Sequence, residues 1–154
     1  MEVSIYTDGS CNTQLRTGAW ASIILFANEK IVLHGVEVDV THHHMELQAV
    51  INSILYLEEK SMMHHEVNVY SDSQYVVDLV VRKDKLKDAC FKTKAGVAIR
   101  NVARVQQLIH YIDRYRLHFV KLKAHAGGNL HQHFNREVDM FVRRELRRAL
   151  ETLR

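Results

Sequence analysis

Residues 2–10 read EVSIYTDGS. Val3 and Ile5 alternate with Glu2 and Ser4, the period-2 pattern of a strand, and Gly9 with Ser10 predicts a turn directly after it. Asp8 is therefore expected near the C-terminal end of a strand. Ligands of open α/β sheets bind beyond the carboxyl ends of the strands, which makes Asp8 a candidate site residue. Asp-Gly is also a common turn pair, so a turn-forming role for the aspartate stays open on this stretch alone.

Outward from this stretch, GAWASIILF and KIVLHGVEV read as two further strands joined across ANEK, a hairpin-sized connection. With residues 2–7 they make a three-strand antiparallel start. From His43 the apolar period changes: Leu47, Val50, Ile51 and Ile54 recur at helical spacing to about Glu59, with Thr41 or His42 as the cap. EVNVYSD from Glu66 alternates as a fourth strand ending at Ser71 and Asp72, and Ser73 is placed to cap the helix that SQYVVDLVV begins. Residues 82–97 are highly charged with weak periodicity and are expected to form a loop-rich or short-helix excursion. A helix from Ile99 to Arg114, a fifth strand at 116–122, the loop KAHAGGNLHQ and a long terminal helix marked by Phe134, Val138, Phe141, Leu146 and Leu150 complete the order.

A chain of 154 residues with 47% hydrophobic and 25% charged residues suits one soluble domain, 1–154, with a single core. No apolar run approaches the roughly 20 residues that span a bilayer, and the N-terminus has neither the basic start nor the apolar stretch of a signal peptide, so a cytoplasmic location away from membranes is expected. Cys11 and Cys90 have no paired spacing and are expected as reduced thiols. The net charge is +3, but residues 82–104 hold eight Lys/Arg against Asp84 and Asp88, a local +6 suited to a polyanion. A second basic group, Arg143, Arg144, Arg147, Arg148 and Arg154, reads as a solvated helix face.

Four acids stand where these elements can bring them together. Asp8 ends the first strand, Asp72 the fourth, Glu46 lies in the first turn of the first helix, and Asp139 lies near the start of the last. If the first and fourth strands are parallel neighbours, Asp8 and Asp72 share one edge of the sheet, with Glu46 and Asp139 reaching in from helices. Carboxylates so close raise each other's pKa unless a cation neutralises them, and hard oxygen donors suit Mg²⁺ or Mn²⁺. Each acid alone has an ordinary structural use, as a cap, a helix-dipole residue or a surface charge.

In series, YTDGSC, HHHMELQAV, YSDSQYV, VKLKAHAGG and NREVDMFVR resemble the five signature blocks of type 1 ribonuclease H, over roughly residues 2–145. The resemblance implies an α/β, ribonuclease H-like fold: a five-stranded mixed sheet, three antiparallel strands then parallel additions, flanked by helices. It implies an endonuclease that hydrolyses the RNA strand of an RNA–DNA hybrid with two Mg²⁺ ions, or Mn²⁺, and leaves 5′-phosphate and 3′-hydroxyl ends. Asp8, Glu46, Asp72 and Asp139 would hold the metals, about 4 Å apart. His125 would assist proton transfer or product departure. Ser10, Asn12, Gln14, Thr41, His42, Ser73, Gln74 and Asn135 match positions that contact backbone, 2′-hydroxyl or phosphate in the family.

The segment RKDKLKDACFKTKAGVAIRNV matches the family's basic protrusion in position and length but lacks its tryptophans. Phosphate binding there falls to charge, carried by Lys83, Lys85, Lys87, Lys92 and Lys94. No room precedes Val3 for a separate hybrid-binding domain, so affinity is expected from this domain, acting as a monomer, or from an oligomer. Two other readings remain: an inactive hybrid-binding module, and the ribonuclease H domain of a reverse transcriptase. A transition-metal site at His42, His43 and His44 is a further alternative to polar, substrate-facing residues.

Overall fold

A computed structural model of the chain describes residues 1–123 and 128–153. Three antiparallel strands open the fold: β1 (Glu2–Asn12), β2 (Thr17–Phe26) and β3 (Glu29–Val38). Helix α1 (His42–Glu59) leads to β4 (Glu66–Ser71), then α2 (Gln74–Asp88), α3 (Val102–Arg114), β5 (Leu117–Lys121) and α4 (Leu130–Thr152). The sheet order is β3-β2-β1-β4-β5, with β1 parallel to β4 and β4 parallel to β5. This is the five-stranded mixed sheet expected from the sequence.

Alternation along β1 sorts the two faces. Val3 and Ile5 pack with Leu47, Val50, Ile51 and Ile54 of α1, Val76 and Leu79 of α2, and Val105 and Leu108 of α3. Tyr6 on the other face packs with Ala19, Ala21 and Ile23 of β2 and with Val138 and Val142 of α4. No described helix is long and apolar enough to cross a membrane.

Three local expectations are corrected. Gly9 and Ser10 form no turn; they continue β1 opposite Trp20 and Ala19, because β2 is long enough to pair with the whole of residues 4–12. Residues 82–88 are the second half of α2 rather than a loop: Leu86, buried in the core beyond Val76 and Leu79, carries the apolar face past the lysines. Glu46 and Asp139 also lie deeper in their helices than expected. Glu46 is the fifth residue of α1 and Asp139 the tenth of α4, since these helices begin at His42 and Leu130.

Candidate active site

Asp8 occupies a particular place in the sheet. Its strand still pairs with β2, Asp8 opposite Ala21, but the pairing with β4 stops one residue earlier, at Thr7 opposite Ser71. Beyond that point β1 and the chain after β4 part, and Asp8 and Asp72 stand at the mouth of the gap. Such a divergence of neighbouring strands is where open α/β sheets bind ligands. Asp8 lies on the Tyr6 face, the one covered by α4, where the charge of Asp139 reaches its carboxyl.

Glu46 arrives from the opposite face. The first turns of α1 cross over Gly9 so closely that a Cβ there would lie 2.4 Å from the Met45 carbonyl carbon and 2.6 Å from the Glu46 nitrogen. Only a residue with no side chain permits this approach. Thr41 caps α1 by accepting from the His44 N–H at 3.2 Å, and Ser73 caps α2 by accepting from the Val76 N–H at 3.2 Å. The same Ser73 side chain faces Glu46 and opposes the rise of its pKa, so the two helix starts lie together.

Three of the acids are displaced from the ordinary carboxylate range. Burial, then the charges of Asp72 and Asp139, push the Asp8 carboxyl well above the usual range, against the Gly9 N–H. Burial and the neighbouring Asp139 raise Asp72, partly offset by Lys121. Burial raises Glu46, while Ser73, His42 and His43 oppose the rise and Asp72 adds to it. Asp139 is also paired with Arg143 at 3.2 Å, one helical turn on. Partly buried acids with neighbouring carboxylates at a sheet edge have a deficit of positive charge, and oxygen donors of this kind fit a hard divalent cation. Among the described residues no three His, Cys, Asp or Glu side chains form a closed ligand cluster.

The histidine run divides its work. His42 and His43 approach the two oxygens of Glu46 at 3.7 and 3.9 Å, whereas His44 turns away to Glu37 of β3 at 3.1 Å. The His43 ring lies flat on Tyr75 of α2, with centroids 4.0 Å apart and planes at 4°. Tyr75 shares a wall with Asn101, whose side chain leaves the start of α3 uncapped. Together these groups line a hollow of about 420 Å³ between α1, α2 and α3, with Arg82 and Arg100 on its wall.

The remaining expected contact residues are dispersed. Asn12 accepts from the Leu15 N–H at 2.9 Å and shapes the β1–β2 turn beside the exposed Gln14. Ser10 is half-buried on the Asp8 face, Gln74 bonds Asp78 at 2.6 Å, and Asn135 is buried one turn before Asp139. Lys83 and Lys87 reach across to Asp113 of α3, while Lys85, Lys92 and Lys94 are exposed with no carboxylate partner among the described residues. His125 lies outside the described residues. Arg143, four residues after Asp139, carries a spacing that marks it as a helical ion-pair partner. The stack of His43 on Tyr75 has no such signal, because it joins two helices.

Comparison with known proteins places the chain in a family and a fold. The RNase H family model matches residues 1–147. A ribonuclease H of Acetivibrio thermocellus is 30% identical over 149 residues, 96% of either chain, and one of a Wolbachia of Drosophila simulans is 32% identical over 146 residues, 94% of this chain and 95% of that one. Among solved structures, LC9-RNase H1, a type 1 ribonuclease H described as having the type 2 active-site motif, superposes with a TM-score of 0.78 at 22% identity. That match covers 94% of this chain and 72% of the other. A full-length family match, relatives of the same length and the mixed sheet agree: the chain belongs to the ribonuclease H family, whose members are endoribonucleases.

Proposed function

We propose that the chain cuts the RNA strand of RNA–DNA hybrids at the cleft where Asp8, Glu46, Asp72 and Asp139 meet, leaving 5′-phosphate and 3′-hydroxyl ends. The observation that carries this reading is the placing of Asp8 and Asp72 at the point where β1 and β4 part, with burial first and neighbouring carboxylates second holding Asp8, Glu46 and Asp72 above the usual range. The four carboxylates would hold two divalent ions, Mg²⁺ or Mn²⁺, which supply activation of the attacking water and stabilisation of the leaving oxygen. The protein's own groups prepare the site. Burial and the charges of Asp72 and Asp139 favour a protonated Asp8 in the metal-free protein, so loading releases a proton. Ser73 and the imidazoles of His42 and His43 orient Glu46, and Lys121 and Arg143 moderate the negative charge of Asp72 and Asp139.

The substrate runs over the same edge. Thr41, Asn101, Arg82 and Arg100 around the hollow suit a backbone phosphate, and Lys85, Lys92 and Lys94 extend the positive surface. Polar groups near the acids, Ser10 and His42 among them, are placed to test for the 2′-hydroxyl, the group that separates RNA from DNA at each sugar. His125 assists proton transfer or product departure. The protein acts as a single-domain monomer in this reading.

The direct experiment is incubation of a labelled hybrid, double-stranded RNA, duplex DNA and single-stranded RNA with Mg²⁺, Mn²⁺ or chelator. Cleavage is expected only in the RNA strand of the hybrid, and is abolished by chelator. Equal cutting of duplex DNA, or cutting with all metal removed, defeats the assignment.

A further inference from the structure

The first turn of α4 is fastened to the sheet by a group of aromatic residues that the chemistry above does not use. Tyr6 of β1 and Tyr70 of β4 are register partners, and their rings stack at 4.8 Å with planes at 12°. His131, in the first turn of α4, lies over Tyr70 at 4.4 Å, and its Nδ1 is 2.6 Å from the Tyr6 hydroxyl oxygen. Phe134 adds a tilted contact with Tyr6 at 5.1 Å. The Tyr6 hydroxyl and the His131 imidazole thus share one hydrogen bond between β1 and α4.

Position gives this fastening its meaning. Tyr6 stands two residues before Asp8 on the same face of β1, and Tyr70 two residues before Asp72, which lies just beyond the end of β4. His131, Asn135 and Asp139 follow at intervals of four on one side of α4. His131 and Asp139 are eight residues apart, about 12 Å along a rigid helix. The tyrosine pair thus anchors the helix one step below the carboxylate pair that the same helix must reach.

We infer that Tyr6 and His131 are positioning residues, a clip between β1 and α4 that sets the reach of Asp139 toward Asp8 and Asp72. The inference rests on the two-ion reading of the site, since it assigns the clip a role in placing one metal ligand. Neither residue touches substrate. A displacement of about 1 Å at a reacting centre can cost up to 10²-fold in rate, so a hydrogen bond this remote has a measurable kinetic consequence.

The test compares Tyr6→Phe, His131→Phe and the double variant, which keep the rings and remove the hydrogen bond, with His131→Gln, whose amide can restore it. Expected is a fall in kcat of roughly 3- to 30-fold at unchanged KM for hybrid, with weaker Mn²⁺ binding to the free protein by calorimetry. The double variant should be no worse than either single one, as for two ends of one bond, and His131→Gln should recover most of the loss. Hydrogen exchange over residues 131–139 should quicken in the two phenylalanine variants. Variants that melt lower yet keep wild-type kcat and Mn²⁺ affinity would show ordinary core packing and overturn the inference. If the wild type itself neither binds the ion nor cuts hybrid, the two-ion reading fails first, and with it the role assigned to the clip.

Discussion

Gly9 and Glu46 are held against each other by the absence of a side chain: a Cβ on residue 9 would come within 2.6 Å of the Glu46 nitrogen. The contact is backbone on both sides, so neither partner can rotate away. Gly9→Ala is expected to lift the start of α1 from β1, costing about 1–3 kcal/mol of stability, the usual range for overpacking. Cleavage should fall at least tenfold more than hybrid binding, because Glu46 moves with the helix. Chemical denaturation and single-turnover rates measured side by side check both parts.

Replacing a carboxylate separates binding from chemistry. Asp8→Asn and Asp72→Asn should leave hybrid affinity unchanged or improved, by relieving repulsion of the phosphates, while cleavage becomes undetectable. A variant that still cut at a tenth of the wild-type rate would show that residue to be dispensable for holding the ions.

The raised carboxyl pKa values make the metal-free protein's stability depend on pH with a definite sign. Asp8, Glu46 and Asp72 bind protons more tightly folded than unfolded, so their contribution is fully present below the unfolded carboxylate range near 4 and is lost as pH rises through their elevated folded values. Melting in chelator should therefore fall from this group as pH climbs out of the acid range. Mg²⁺ should restore stability at neutral pH, and Asp8→Asn should melt higher than wild type there in chelator. Thermal melts at several pH values, with and without Mg²⁺, give the answer; a neutral-pH melt insensitive to both the ion and the substitution contradicts it.

The lysines of the basic segment should divide by partner. Replacing Lys85, Lys92 and Lys94 by Gln should weaken hybrid binding and lower the log–log salt slope by somewhat under 1 for each phosphate that is no longer neutralised. Lys83→Gln and Lys87→Gln break pairs with Asp113, and should lower stability slightly with a smaller change in slope. Equal slope changes across all five would show that the Asp113 pairs open to meet the substrate.

His125→Ala should leave ion binding in place and lower the saturated rate by roughly 10²-fold, the range for a lost proton-transfer group. Single-turnover rates at saturating hybrid report this directly. Cleavage at the wild-type rate would make the histidine a bystander.

Local chemistry written in the sequence determined a good part of this molecule. The switch from period 2 to helical spacing marked the five strands and the helices, hydroxyl side chains marked the caps at Thr41 and Ser73, and the order of the blocks around Asp8, Glu46, Asp72 and Asp139 marked the family. Non-local partners decided the rest. Whether Asp-Gly-Ser turns or continues as strand depends on β2, which pairs with it from residues 19 to 21; whether charged residues 82–88 form helix depends on the core that receives Leu86. Lys83 and Lys87 were indistinguishable from their neighbours until Asp113, 30 and 26 residues away, met them. The Tyr6–His131 clip joins residues 125 apart, and no periodicity extends over such a separation. Side-chain pattern records which face a residue shows to its own element, whereas the partner it meets there is chosen by packing between elements.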